Sequence, residues 1–203
     1  MTITNRRQGG SSLKTKTVVV IAGLPISGKS SLGRALAEKT GLHFIDIDAG
    51  PASCVFSQEQ NPLRSDEARA RERARMTVAY TVLHAAVEAH LSQGFSIIIS
   101  ATYSRHTNQE LLQSAVERGN GIMKVIWCQY HDTPTEIERR VADRLARGTV
   151  GGCRSVSHYL DDKSRYMGIK LPHIVVMMDC GQEGLNKAVQ QAISYIDDER
   201  SLE

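Results

Sequence analysis

Five short runs of consecutive apolar residues recur along the chain, separated by longer stretches in which apolar and polar residues mix. Runs that are continuously apolar, rather than alternating, are typical of strands covered on both faces, as in a parallel sheet. We therefore predict five β-strands, at residues 18–21, 43–47, 95–100, 122–130 and 173–179.

The longer stretches carry the start and stop signals of helices. They predict helices at residues 28–41, 65–94, 106–121, 132–148 and 184–196. Gly41 and Gly94 are placed to end the first two of these helices, since glycine is common just beyond the last helical turn. Ser65 and Asn108 are candidate N-terminal caps, and Pro134 falls in a first helical turn.

Strands that alternate with helices are joined by right-handed crossovers and form three-layer α/β domains. The chain has 203 residues, of which 41% are hydrophobic, and this is enough to bury one sizeable core. We expect one such domain over residues 16–203. Residues 1–15 are polar and basic, and we expect them to form a disordered tail.

Directly after the first predicted strand, Gly23, Gly28, Lys29 and Ser30 match the phosphate-loop (Walker A) pattern G-x-x-x-x-G-K-[ST]. Glycines let backbone N–H groups turn towards a phosphate, and the helix that follows adds its positive N-terminal end. The pattern predicts that Lys29 binds the outer phosphates of ATP and that the Ser30 hydroxyl ligates Mg²⁺. The residues predicted to line the nucleotide are Gly23, Leu24, Pro25, Ile26, Ser27, Gly28, Lys29, Ser30 and Ser31. A loop of this pattern that no longer binds nucleotide is the alternative.

Two acids, Asp46 and Asp48, lie two residues apart at the end of the second predicted strand. Residues with this spacing share a side of a strand, and ligands of parallel sheets bind at the carboxyl ends of the strands. We predict that Asp48 orients or deprotonates a hydroxyl group that accepts phosphate, and that Asp46 belongs to the Mg²⁺ shell. Alternatively, each acid only caps the turn that follows the strand.

The third predicted strand ends in small polar residues, Ser100 and Thr102, and Arg105 follows. Here the chain resembles the small P-loop kinases, a family that includes predicted small-molecule kinases, zeta-toxin-like kinases and antibiotic phosphotransferase-like kinases. The resemblance is carried by residues 22–41, 44–48, 89–113 and 125–148. It implies a five-stranded parallel sheet in the order 2-3-1-4-5 with a helical lid. It also implies roles in acceptor binding for Asp48, Thr102 and Arg105.

The chain departs from the family pattern in two places. The family commonly has Asp where this chain has Ser100, which places more weight on Asp46 and Asp48 near the metal. The family usually has an arginine soon after the second strand, where this chain has Gly50 and Pro51, so we expect a different acceptor pocket.

Arg140, Arg144 and Arg147 follow one another at spacings of four and three residues, which stacks them along one helix face. The resemblance implies that this helix belongs to a lid whose arginines stabilise charge during phosphoryl transfer, and we predict this role for Arg144 and Arg147. The glycine-rich residues 148–155 would form the flexible tip of the lid. A solvated surface helix is the alternative, and Arg139 is predicted to lie at the surface in either case.

Charge and cysteine content limit the partners of the protein. Lys and Arg total 25 against 22 for Asp and Glu, and so small an excess argues against a dedicated nucleic-acid binder. The four cysteines form no C-x-x-C pair, which favours a reduced, cytoplasmic protein. No apolar run approaches the ~20 residues that a membrane span needs, so no membrane partner is expected.

Together these features predict an ATP- and Mg²⁺-dependent kinase that transfers the terminal phosphate of ATP to a hydroxyl group of a small molecule. One alternative is a kinase of nucleotides or nucleic-acid 5′ ends, which would need a basic groove near the lid. The other is an ATPase or nucleotide-dependent switch, whose hydrolysis of ATP would not respond to any added hydroxyl compound.

Overall fold

The computed structural model describes residues 15–55, 66–148, 153, 155–179 and 181–198. Its five-stranded sheet comprises β1 (Thr17–Ala22), β2 (His43–Asp46), β3 (Ile97–Ala101), β4 (Ile122–Gln129) and β5 (His173–Met177). The strands lie in the order β2-β3-β1-β4-β5, and every neighbouring pair is parallel. The predicted sheet and its strand order are confirmed. Of the predicted tail, residues 1–14 lie outside the described residues.

Helices connect and flank the strands. They are α1 (Lys29–Thr40), α2 (Pro51–Val55), α3 (Asp66–Ser92), α4 (His106–Arg118), α5 (Pro134–Ala146), α6 (Val156–Ser164) and α7 (Gly181–Asp197). The sequence pattern predicts neither α2 nor α6, since both are too short to show a clear helical period. Within the described part of the chain, none of the helices has the length and apolar character needed to cross a membrane.

Most of the predicted helix ends are found in the structure. Gly41 and Gly94 take the left-handed conformation after α1 and α3, with φ of 72° and 86°. Pro134 opens α5, where the Thr133 hydroxyl caps the helix. The predicted cap at Asn108 is wrong, because α4 already begins at His106. The predicted cap at Ser65 lies outside the described residues.

The central strand β1 is buried along its whole length, and its residues face two separate cores. Val18, Val20 and Ala22 join a core with α3 and α4. Val19 and Ile21 point the other way and join a core with α1 and α7. The continuous apolar runs of the sequence therefore arise because helices cover both faces of the sheet.

A third, smaller hydrophobic cluster is separate from the two cores of the sheet. Its buried members, from the segment after β4 and from α5, α6 and the segment before α6, are Tyr130, Ile137, Val141, Cys153 and Tyr159. Leu24 and Ile26, from the loop between β1 and α1, pack against this cluster. We call α5 and α6 the lid. The cluster thus attaches the lid directly to the phosphate loop, while residues 149–152 and 154 of the predicted lid tip lie outside the described residues.

Candidate active site

The phosphate loop, residues 23–28, takes a backbone conformation that few residues adopt. Gly23 and Gly28 have φ of 154° and 93°, and Ile26 has φ of 58°, an uncommon value for a β-branched residue. A Cβ on Gly23 would lie 2.6 Å from the carbonyl oxygen of Cys128. Space and conformation therefore both require glycine at the start of the loop.

The N-terminal end of α1 follows this loop directly, and no side chain of its first turn neutralises the positive end of the helix dipole. The helix begins at Lys29, with no side-chain cap and no acidic residue in its first turn. Ser27, in the loop, is 1% exposed, and its hydroxyl has no hydrogen-bond partner among the described residues. Among the described residues, an uncapped helix N-terminus with its dipole and an unpaired buried hydroxyl together favour the binding of a phosphate group.

Lys29 reaches back over the loop. Its Nζ donates a hydrogen bond of 2.8 Å to the carbonyl oxygen of Leu24. Burial lowers the pKa of Lys29, and the nearby carboxylates of Asp48 and Asp46 oppose that shift. An ammonium group in this position is stabilised by negative charge, which the outer phosphates of a nucleotide would supply.

Asp46 ends β2, and its carboxylate shapes the turn that follows. Oδ1 accepts hydrogen bonds from the backbone N–H groups of Asp48 (2.9 Å) and Ala49 (3.4 Å). Oδ2 accepts one of 3.3 Å from the hydroxyl of Ser100, the residue that stands where the resembling family commonly has Asp. Asp46 therefore caps the turn, which was the alternative interpretation. A lone pair of Oδ2 is still left for the shell of a metal ion.

The spacing of Asp46 and Asp48 predicts that the two residues share a face of the strand, but Asp48 lies beyond the end of β2. β2 ends at Asp46, because the Gly50 N–H bonds back to the Asp46 carbonyl at 2.8 Å and the chain turns. Asp48 Oδ2 lies 4.0 Å from Nη2 of Arg144. Desolvation by the surrounding protein raises the pKa of Asp48, as does Asp46, while Lys29 and Arg144 lower it. The structure thus brings Asp48, Lys29 and Arg144 to one place.

The arginines of α5 have different environments. Arg144 is half-buried and lies beside Asp48, as a lid residue of the site would. Arg147 is exposed at the C-terminal cap of the helix. Arg139 pairs with Glu136 (2.8 Å) and Asp143 (2.6 Å) and is largely exposed, as predicted for a surface residue.

Arg140, to which the sequence assigns no role, connects the lid to the phosphate loop. Its Nη1 donates to the carbonyl oxygen of Ile26 at 3.2 Å, and its Nη2 donates to that of Met178 at 2.6 Å. The guanidinium group also lies over the Tyr130 ring, 4.3 Å from the centroid. Its spacing of four residues from Arg144 is the signal by which it could have been found.

The predicted acceptor residues Thr102 and Arg105 lie in the loop between β3 and α4. Thr102 is half-buried, and Arg105 is exposed at the start of α4. Tyr80 of α3, which carries no sequence signal, contacts this loop, since its hydroxyl oxygen accepts a hydrogen bond from the Tyr103 N–H. Burial raises the pKa of the Tyr80 phenol above its usual range, and the charges of both Asp48 and Arg105 act on it. The ends of β2 and β3 therefore meet around Tyr80.

Asp162 of α6 is a second acid near Asp48 that sequence reasoning missed. Its Oδ2 lies 3.6 Å from Nε2 of His158, one turn earlier on the same helix. Burial raises the pKa of Asp162, His158 opposes this shift, and the charges of Asp48 and Glu72 add to it. The lid thus brings acidic as well as basic side chains to the site.

A glycine-rich phosphate loop between the central strand and a helix, in a parallel sheet of this order, defines a P-loop nucleotide-binding fold. The chain belongs to the AAA domain family, whose model matches residues 18–156. Among curated proteins, none matches the chain by sequence.

Solved structures share this fold. A protein assigned as a kinase from Chloroflexus aurantiacus superposes with a TM-score of 0.67 at 19% identity, over 90% of this chain and 99% of the other. A sugar kinase from Janibacter has a TM-score of 0.59 at 21% identity, over 90% and 95%. An APS kinase from Mycobacterium tuberculosis, in complex with AMPPNP and APS, has a TM-score of 0.56 at 16% identity, over 91% and 99%. The fold is therefore that of small P-loop kinases.

Proposed function

We propose that the protein is an ATP- and Mg²⁺-dependent kinase that phosphorylates a hydroxyl group of a small molecule. The observation that carries the proposal is the meeting of Lys29, Arg144 and Asp48. They contribute a phosphate-binding cation from the loop, a second cation from the lid and a carboxylate from the end of β2. A carboxylate at this place can orient the hydroxyl group of an acceptor and take its proton, as phosphoryl transfer to a small molecule requires. The assignment of several proteins with this fold as kinases supports the proposed kinase function.

The donor set fits a magnesium ion. Ser30, in the first turn of α1, and Asp46 offer a hydroxyl and a carboxylate oxygen, the hard ligands that Mg²⁺ prefers. In the described ranges, no cluster of three or more His, Cys, Asp or Glu side chains could hold a metal ion. Phosphate oxygens and water would therefore complete the shell, and the bound ion would withdraw charge from the phosphates.

The chain's own residues then have distinct tasks. The acceptor oxygen bonds to the terminal phosphorus of ATP, the bond from that phosphorus to the bridging oxygen of ADP breaks, and the hydroxyl proton passes to Asp48. Lys29 and Arg144 stabilise the negative charge that spreads over the transferring group. Thr102 and Arg105, on the loop beside Tyr80, hold the rest of the acceptor.

The test is a screen in which the purified protein, ATP and Mg²⁺ are incubated with monosaccharides, sugar acids, amino alcohols and nucleosides. ADP release is measured together with the mass of each candidate product. Phosphorylated product formed in equal amount to ADP, by the wild type and not by Asp48→Asn, is the expected result.

Two other outcomes would overturn the proposal. ADP release that is the same with and without every hydroxyl compound would indicate an ATPase or switch. Nucleotides and a 5′-hydroxyl oligonucleotide are added to the same screen. Phosphorylation confined to these would indicate the nucleotide or nucleic-acid kinase instead, and the rate on the oligonucleotide would fall steeply with salt.

A further inference from the structure

Tyr103, directly after Thr102, has an uncommon backbone conformation. Its φ is 50°, in the left-handed region that bulky residues with a Cβ rarely occupy. Of the described non-glycine residues, three have positive φ: Ile26 in the phosphate loop, Tyr103, and Asn120 in a distant turn. Conformations of this kind persist only where the surrounding structure holds them, and they cluster at functional sites.

Two buried side chains hold the backbone of Tyr103, one on each side. The Tyr103 N–H donates a hydrogen bond of 3.0 Å to the hydroxyl oxygen of Tyr80, from α3. The Tyr103 carbonyl oxygen accepts one of 3.0 Å from Nε2 of Gln109, from α4. The Tyr103 ring packs edge-on against that of Tyr80, with centroids 5.4 Å apart. Both polar groups of this residue are therefore fixed by side chains of different helices.

Gln109 also ties the same loop to the segment that leaves the lid. It is 2% exposed, and its amide has a backbone partner for each of its N–H groups as well as for its oxygen. Nε2 donates to the Gly168 carbonyl at 2.9 Å, and Oε1 accepts from the Lys170 N–H at 2.8 Å. A buried amide with all these partners fixes the relative position of two segments, one that follows β3 and one that follows α6.

We propose that Tyr80 and Gln109 are positioning residues of the acceptor site, acting through the backbone of Tyr103. By holding Tyr103 in the left-handed conformation, they fix the direction in which the side chains of Thr102 and Arg105 leave the loop. This inference rests on the proposed kinase function, and it adds the two residues that set the geometry of acceptor binding, neither of which belongs to the phosphate loop.

The test uses Tyr80→Phe, which removes one hydroxyl, and Gln109→Met, which keeps the length of the side chain. Gln113→Met, an exposed position one turn further along α4, and Tyr195→Phe, on the opposite face of the sheet, are the matched controls. KM and kcat are measured with ATP and with the acceptor from the screen that the wild type phosphorylates best. Amide hydrogen exchange of residues 102–106 is measured in each variant without acceptor.

We expect the acceptor KM to rise about 10- to 100-fold in both variants, because small displacements of a binding group are costly. The KM for ATP should change by less than about twofold, since the phosphate loop is untouched, and exchange at residues 102–106 should become faster. The controls should behave as the wild type. A general loss of stability would not raise the KM for one substrate alone.

An unchanged acceptor KM in folded Tyr80→Phe and Gln109→Met would overturn the inference, and so would an equal rise in the KM for ATP. If the wild type phosphorylates no compound of the screen, the proposed function has failed, and hydrogen exchange then decides the inference separately. Faster exchange at residues 102–106 in both variants supports the clamp on Tyr103, and unchanged exchange overturns it.

Discussion

At the scale of single residues, Lys29 offers the most direct test of the proposed phosphate-binding role of the loop. Its ammonium group is buried and bonds to the Leu24 carbonyl, and the carboxylates of Asp48 and Asp46 offset only part of the lowering of its pKa. Lys29→Ala should therefore lower the affinity for ATP by about 10- to 100-fold, the loss expected for a charged hydrogen bond, and leave the fold intact. Calorimetric titration with ATP measures this, and Lys39→Ala, at the exposed end of α1, is the control. Unchanged affinity in a folded Lys29→Ala protein would contradict the phosphate role.

Asp48 is the residue on which the proposed transfer of phosphate to an acceptor depends most. Asp48→Asn keeps the shape of the side chain but removes the proton acceptor, so phosphoryl transfer should fall by about 10²- to 10⁴-fold. Binding of ATP should persist, because Lys29 and the loop amides remain. The measurement is the rate of product formation at saturating ATP, with Asp143→Asn on the outer side of α5 as the control. A wild-type rate in Asp48→Asn would reduce Asp48 to a residue of the turn.

His84 predicts how stability depends on pH. It is buried beside Tyr103, whose hydroxyl lies 3.3 Å from its Nε2, and burial together with Arg118 lowers its pKa to about 4, from 6.5. Between these values the unfolded chain binds more protons than the folded one. The free energy of unfolding should therefore fall as pH drops from 6.5 to 4, by up to about 3 kcal/mol from this residue.

Denaturant unfolding of the wild type and of His84→Gln at pH 7, 5.5 and 4 tests this expectation. The variant should lose less stability than the wild type across the window, because glutamine does not titrate. Parallel losses in the two proteins would show that His84 is already protonated in the folded state or is not the group responsible.

At the scale of elements, the sequence predicts the strands and helices that show a local hydrophobic pattern. It does not predict features that depend on contacts between residues far apart in the chain. The five strands and the long helices were predictable because both faces of the sheet and one face of each helix are apolar. The position of Asp48 was not predictable, because β2 ends in a turn closed by the hydrogen bond from the Gly50 N–H to the Asp46 carbonyl, at 2.8 Å. The contacts of Tyr80 and Gln109 were not predictable either. Neither residue belongs to a sequence motif, and the backbone groups that they bind lie outside the helix to which each residue belongs.

The lid helix α5 allows the two predicted arginines to be separated. Arg144 is half-buried beside Asp48, whereas Arg147 is exposed at the end of the helix. Arg144→Ala should lower kcat by about 10²-fold or more, the loss typical of a group that stabilises transition-state charge, and change the KM for ATP less. Arg147→Ala should have a much smaller effect. Steady-state kinetics of both variants measures the difference, and equal losses would mean that Arg147 also reaches the phosphates.

At the scale of the whole molecule, the lid is joined to the phosphate loop through a hydrophobic cluster that is separate from the two cores of the sheet. Its small cluster includes Leu24 and Ile26 of the phosphate loop but none of the residues of the two sheet cores. Arg140 adds hydrogen bonds from α5 to Ile26 and to Met178 after β5. Anything that orders the phosphate loop should therefore order the lid as well, while the sheet, already buried on both faces, has little left to gain.

Hydrogen exchange with and without a non-hydrolysable ATP analogue and Mg²⁺ tests this coupling. Bound nucleotide should slow exchange in α5 and α6, whose packing depends on the loop, and leave α3 and β1 nearly unchanged. Lys29→Ala, at the same analogue concentration, should lose most of this protection, because it binds the phosphates poorly. Protection spread evenly over the chain would indicate a general gain in stability instead. Protection of residues 23–31 alone would show that the lid moves independently of the loop.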